Sequence, residues 1–197
     1  YMNFAILNSL RVWNFFPLDS SIVCYSNVAA FGIDGCLSVL LGQSVTTDKL
    51  CFMIIGDLSF FYDMNSLGIR HLKNNIRILL INNGCGAEFK LSTIKGMDTS
   101  SYVSATGHYD NARGWTESIG FQYISADNKE EFLRKKDIFL NESDKSIVFE
   151  VFTRDENEAK ALEAILKNNI CESEVKAFLR KTVGEKGVRI LKNILKK

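Results

Sequence analysis

Two apolar runs, residues 51–55 and 76–81, each break off into a polar turn that carries glycine: Gly56-Asp57 after the first, Asn82-Asn83-Gly84 after the second. Runs of this length, bounded by turn signals, have the size of fully buried strands. A strand also fits 22–25, then a helix through Leu37, Val39, Leu40 and Leu41. Past the 51–55 strand, Met64, Leu67, His71 and Leu72 share one helical face, which predicts a helix from about Asp63. The 76–81 strand and a Ser/Thr/Gly-rich loop (92–107) follow, and Asp110 is placed to cap a helix ending at Gly120. Residues 121–124 and 146–152 read as strands around a charged helix at 128–139. Strand–helix alternation predicts a three-layer α/β/α domain, doubly wound, with a mostly parallel sheet of about five or six strands. Such sheets bind ligands beyond the carboxyl ends of their strands, where both turns fall.

A chain of 197 residues, 46% hydrophobic and 24% charged, can bury a sizeable core in one domain. A net charge of +1 argues against a nucleic-acid surface. No apolar stretch reaches about 18 residues, so no membrane span is expected. The five cysteines form no CxxC pair, as fits reduced, buried thiols in a cytoplasmic protein. The first residue is Tyr1 rather than Met, as in a piece of a longer protein. From about residue 156 the character changes to short amphipathic segments (157–168, 172–183, 186–196) rich in Lys and Arg. The reading is therefore a ligand-binding domain over 1–155 and a helical C-terminal extension over 156–197.

The two turns carry the chemistry. Magnesium takes hard oxygen ligands in near-octahedral geometry and keeps waters and phosphate oxygens among them. Asp57 supplies a carboxylate and Asn83, 26 residues on, an amide oxygen. The Cys85 carbonyl completes the protein's share through backbone oxygen, not sulfur. Amides of Leu58 and Ser59, at a strand-to-helix turn, suit diphosphate oxygens. Either motif alone is an ordinary turn; the pair, in this order and separation, is the signal.

Asn8-Ser9-Leu10, Tyr25-Ser26-Asn27, Gly32-Ile33-Asp34-Gly35 and the stretch 56–67 (GDLSFFYDMNSL) together resemble the C-terminal cofactor domain of the SEPHCHC synthases of menaquinone biosynthesis (the MenD family). Specific motifs cover about residues 6–90; beyond that the likeness is architectural. The resemblance implies a thiamine diphosphate-binding (PP-type) fold with Mg2+. It makes Asp57, Asn83 and the Cys85 carbonyl metal ligands. Gly56, Leu58 and Ser59 become the diphosphate turn, and Ile33 the apolar wedge beneath the thiazolium. It also implies a 2-oxo acid decarboxylase/carboligase, a transferase or lyase acting on a small-molecule 2-oxo acid and an acceptor. Where the family grips substrate carboxylates with arginines, this chain has Trp13 and Val28, and an apolar substrate-side residue is replaced by Glu88. Neither Trp13 nor Val28 can make a bidentate carboxylate clamp, so an altered substrate is expected. The family's catalytic glutamate comes from a separate PYR-type domain, which no segment here resembles. The isolated chain is therefore expected to be inactive, and the full-length protein a homo-oligomer, dimer or tetramer.

The alternatives are a phosphonopyruvate- or sulfopyruvate-type decarboxylase and a non-catalytic dimerisation module of the same fold. Glu88, His108 and Ser9 are the substrate-side candidates. Each also has a plain structural reading: a solvated helix-start acid, a loop or capping residue, and a lone serine without a base. His71 is expected to pack on its helix's apolar stripe, and Asp63 to cap that helix.

Overall fold

In a computed structural model, residues 1–28, 32–86 and 107–169 are described. Residues 1–163 form one compact unit and 164–197 a second; of the latter the described part is the end of a helix. The first unit is built on β1 (Met2–Phe4), α1 (Asn8–Trp13), β2 (Cys24–Ser26), α2 (Cys36–Ser44), β3 (Cys51–Gly56), α3 (Asp57–Asp63), β4 (Ile76–Asn82), α4 (Arg113–Ser118), β5 (Gln122–Ala126), α5 (Lys129–Leu140) and β6 (Ile147–Phe152). The helix α6 (Asp155–Asn168) begins in this unit. A short 3-10 helix (Met64–Gly68) continues α3.

The six strands form one sheet in the order β2-β1-β3-β4-β6-β5, every pair parallel. Strand alternation sends side chains to two opposite cores. Cys51, Met53 and Ile55 of β3, Ile76, Ile78 and Leu80 of β4 and Val148 of β6 pack with Leu37, Leu40 and Leu41 of α2 and Phe60 of α3. On the other face Phe52, Leu79, Ile147 and Phe149 pack with Phe132 and Phe139 of α5. The three-layer α/β/α fold expected from the sequence is the one observed.

Several local expectations need correction. The helix after β3 begins at Asp57, six residues before the predicted start, because Gly56 is extended and Asp57 takes the first helical position, where an acid suits the helix dipole. His71 lies in a turn beyond the 3-10 segment and is exposed, not packed on a helix. The Asp63 carboxylate accepts hydrogen bonds from the Ser38 backbone N–H (2.9 Å) and hydroxyl (3.0 Å), so it caps α2 rather than its own helix. Asp110 does not cap α4, whose cap residue is Ala112. β1, three residues long, was not foreseen. Among the described cysteines none is in a disulfide; Cys36, Cys51 and Cys85 are buried and Cys24 is exposed. No helix of the described residues is long and apolar enough to cross a membrane. The predicted helices at 172–183 and 186–196, the loop at 92–106 and Glu88 lie outside the described residues.

Candidate functional site

The strand order reverses between β1 and β3, and such a reversal opens a crevice at the carboxyl rim of a parallel sheet. β3 and β4 are in register from Cys51↔Ile76 to Gly56↔Ile81, so their terminal turns emerge side by side. The Asp57 carboxylate is 3% exposed. Its Oδ1 accepts from the Leu58 amide at 2.8 Å; its Oδ2 accepts from the Gly84 amide at 2.8 Å and the Asn83 amide at 3.2 Å. His108 Nε2 lies 3.2 Å from the same Oδ2. Because His108 Nδ1 accepts from the Asp110 amide (3.1 Å), the neutral ring carries its hydrogen on Nε2 and donates to Asp57. Burial raises the Asp57 pKa above the ordinary carboxylate value, and these donors only partly oppose it.

The 82–85 turn is held tightly from behind. Gly84 has φ +78, and a Cβ there would come within 3.0 Å of the His108 carbonyl. The His108 amide donates to the Gly84 carbonyl at 2.6 Å, so the two segments meet backbone to backbone. Asn83 Nδ2 donates to Glu158 of α6 at 2.7 Å, leaving its Oδ1 to accept from the Cys85 amide at 2.9 Å. Glu158 in turn accepts from the Thr153 hydroxyl. Asn82 Nδ2 donates to the Asp110 carbonyl (2.9 Å) and to Glu150 (2.7 Å), and its Oδ1 accepts from the Gly84 amide (3.1 Å). Glu150, Thr153 and Glu158 are absent from the sequence reading, which names Asn82 in the turn without giving it a role. For Glu150 a signal existed: one acid in the otherwise apolar strand Ile147–Phe152.

A second linkage joins the α2 approach to α3. The Ser59 hydroxyl donates to the Ile33 carbonyl at 2.6 Å, so the residues expected at the diphosphate turn and the wedge are bonded to each other. Asn27 Nδ2 donates to the Asp34 carbonyl (3.1 Å), and a cleft of about 410 Å³ opens between Asn27, Gly32, Asp34, Gly35, Ser38 and Val39. Asp57, Leu58, Asn83, Cys85 and His108 are thus drawn together, and Gly56 ends the strand beneath them. Ser9 sits half-buried on α1, outside the hydrogen bonds around Asp57. The Trp13 ring packs on Phe4 (5.7 Å) and Phe16 (6.5 Å), while Val28 is exposed. No group of three or more His, Cys, Asp or Glu side chains suited to a metal occurs among the described residues. The expected ligand set needs none, since two of its three oxygens are an amide and a backbone carbonyl.

No family model matches the chain. It is 35% identical over 167 residues to the 2-succinyl-5-enolpyruvyl-6-hydroxy-3-cyclohexene-1-carboxylate synthase of Bacteroides thetaiotaomicron, covering 82% of this chain and 30% of that protein. It is 36% identical over 167 residues to the enzyme of the same name from Phocaeicola vulgatus, covering 82% and 29%. The synthase of Desulfotalea psychrophila matches at 42% identity over 95 residues, 47% of this chain and 17% of that protein. The chain therefore spans less than a third of the length of these relatives. It resembles the SEPHCHC synthases, as its motifs indicated, and at 167 residues the similarity runs well past residue 90, where the motif reading had stopped.

Proposed function

We propose that this chain is the cofactor-holding portion of a thiamine diphosphate- and Mg2+-dependent 2-oxo acid decarboxylase/carboligase similar to the SEPHCHC synthases. The observation that carries the reading is the buried Asp57 carboxylate, drawn against the Asn83-Gly84 turn at the ends of two adjacent strands. The donor set fits the group. A carboxylate 3% exposed, with a histidine ring as its one potentially cationic neighbour among the described residues, is an unfavourable anion that a hard cation would stabilise. Glu158 fixes the orientation of the Asn83 amide, so its oxygen, not its nitrogen, stays with the turn. With the Cys85 carbonyl, these oxygens would hold the metal.

Leu58 and Ser59, opening α3, would face the diphosphate, and the Ser59–Ile33 bond would fix Ile33 relative to it. His108 would keep one Asp57 oxygen oriented and sits at the rim where substrate would approach. When bound, the cofactor supplies the electron sink for decarboxylation, and the protein supplies placement and exclusion of water. A catalytic glutamate from another domain, and a homo-oligomeric cytoplasmic enzyme, complete this reading. The Trp13 ring, packed among Phe4 and Phe16, favours a substrate other than that of the relatives, or a simple decarboxylase.

Calorimetric titration of thiamine diphosphate into the full-length protein, with and without Mg2+, tests the reading. Binding should require Mg2+ and disappear in Asp57→Ala. Equal affinity in the variant would overturn it. A panel of 2-oxo acids, with and without acceptor enones or aldehydes, separates carboligation from decarboxylation.

A further inference from the structure

We infer that Glu150 is a positioning residue for this site: a fully buried carboxylate on β6 that fastens the 82–84 turn to the 108–112 segment. It thereby sets where Asp57, Asn83 and Cys85 present their oxygens. The inference rests on the cofactor reading above. Glu150 is 0% exposed and lies beside Leu80 in the sheet register. Its Oε1 accepts from Asn82 Nδ2 at 2.7 Å. Its Oε2 accepts from the Ala112 amide at 3.0 Å and the Tyr123 hydroxyl at 2.6 Å. All three donors are neutral groups, gathered around a fully buried carboxylate. Such a group is costly for the sheet, whose neighbouring β6 positions are apolar.

What the carboxylate does is join two segments that both reach Asp57. On one side Asn82 relays the contact: its Oδ1 accepts from the Gly84 N–H that also reaches Asp57 Oδ2. On the other side Ala112 ends the segment that begins with His108, the donor to the same Asp57 oxygen. Asn82 Nδ2 also holds the Asp110 carbonyl, closing the loop between the two. Glu150 itself makes no hydrogen bond to Asp57. Tyr123, the third partner, belongs to β5 and contacts neither segment through this bond; burial and the Glu150 carboxylate hold its phenol proton well above the ordinary range.

That asymmetry provides the test in the full-length protein. Glu150→Gln turns an amide N–H either on Asn82 Nδ2 or on the Ala112 amide and the Tyr123 hydroxyl, so one of the two segments loses its acceptor. Tyr123→Phe removes a bond to the same carboxylate while leaving both segments tied. For Glu150→Gln, amide hydrogen exchange at Gly84 or Ala112 should speed by about tenfold or more. Its Mg2+-dependent thiamine diphosphate affinity should fall by roughly 10–100-fold, as for residues that support metal ligands. Tyr123→Phe should stay within about twofold on both readouts even where its melting temperature drops. Unchanged exchange in Glu150→Gln, loosened exchange without weaker binding, or an equal affinity loss in Tyr123→Phe would each overturn the inference. Should Glu150→Gln not fold, Asn82→Ala takes its place: Gly84 should loosen while Ala112 stays protected, and protection at Gly84 unchanged overturns the link. If the wild type binds no cofactor, the functional reading falls by itself and the exchange data alone decide whether Glu150 holds the two segments.

Discussion

At the amino rim of the sheet, Arg77 and Asn75 donate to backbone carbonyls; at the carboxyl rim, Asp57, Glu150 and Asp63 accept from backbone N–H groups. Arg77, 0% exposed at the start of β4, gives Nη1 to the carbonyls of Asn74 and Ile76 and Nη2 to that of Asn141, each at 2.9 Å. Asn75 Nδ2 reaches the carbonyls of Ser44, Thr47 and Lys49. At the other rim Asp57 collects the amides of Leu58, Asn83 and Gly84, Glu150 that of Ala112, and Asp63 that of Ser38 in the first turn of α2. The cause is chain direction. In a parallel α/β sheet helices end at the amino rim, leaving carbonyls without partners, and begin at the carboxyl rim, leaving N–H groups. The first arrangement spends the terminal guanidinium and amide donors on the protein itself, though Arg77 Nε is buried without a partner, and locks loops. The second concentrates negative charge beside a crevice, where a cation and a phosphate can enter.

The contrast can be broken by substitution. Asp57→Ala should have the largest effect on binding, weakening Mg2+-dependent cofactor affinity beyond the roughly 10–100-fold typical of supporting residues. Its melting temperature should fall less than that of Arg77→Met, because the relief of a carboxylate disfavoured by burial partly offsets the lost acceptor of the Leu58, Asn83 and Gly84 amides. Arg77→Met should behave the opposite way. It leaves several carbonyls unpaired and should cost about 3 kcal/mol in chemical denaturation, with cofactor affinity of the folded protein unchanged. A binding defect there would dissolve the distinction between the rims. Gly84→Ala should lie between the two, costing about 1–2 kcal/mol for the left-handed backbone and weakening binding by displacing the turn from His108. Smallest is the alkaline limb of Tyr123. Its folded pKa is raised above 10.0, so its contribution is present below that pH and is lost as pH rises beyond it. Tyr123→Phe should flatten the alkaline fall in stability, measured by denaturation between neutral pH and about 11.

The layered fold and the meeting of Asp57 with Asn83 were legible because each rests on a local pattern: apolar runs of strand length and two turns whose residue types are chemically unusual together. What failed was local too. The Met64, Leu67, His71 and Leu72 spacing imitates a helical face, yet the chain has already spent its helix on 57–63 and passes through a 3-10 turn. The cap assigned to Asp63 failed because its carboxylate is used 25 residues away, and that assigned to Asp110 because the helix starts later, after Ala112. Glu150 stood out as an acid in an apolar strand, but what it binds was hidden by distance along the chain. Its partner Asn82 lies 68 residues earlier, and no spacing rule connects a strand acid to a turn amide across that gap.

The strand order has one more consequence. β6 is the last of the described strands to be synthesised, yet it lies between β4 and β5. While the chain leaves the ribosome, β5 therefore has no native neighbour until residue 152 emerges, and β4 keeps an open edge for as long. A nascent polypeptide in that state carries two unsatisfied ladders, the condition in which mispairing and aggregation compete with folding. The insertion of β6 both fills the gap between β4 and β5 and delivers Glu150, so sheet and binding rim take shape in the same event.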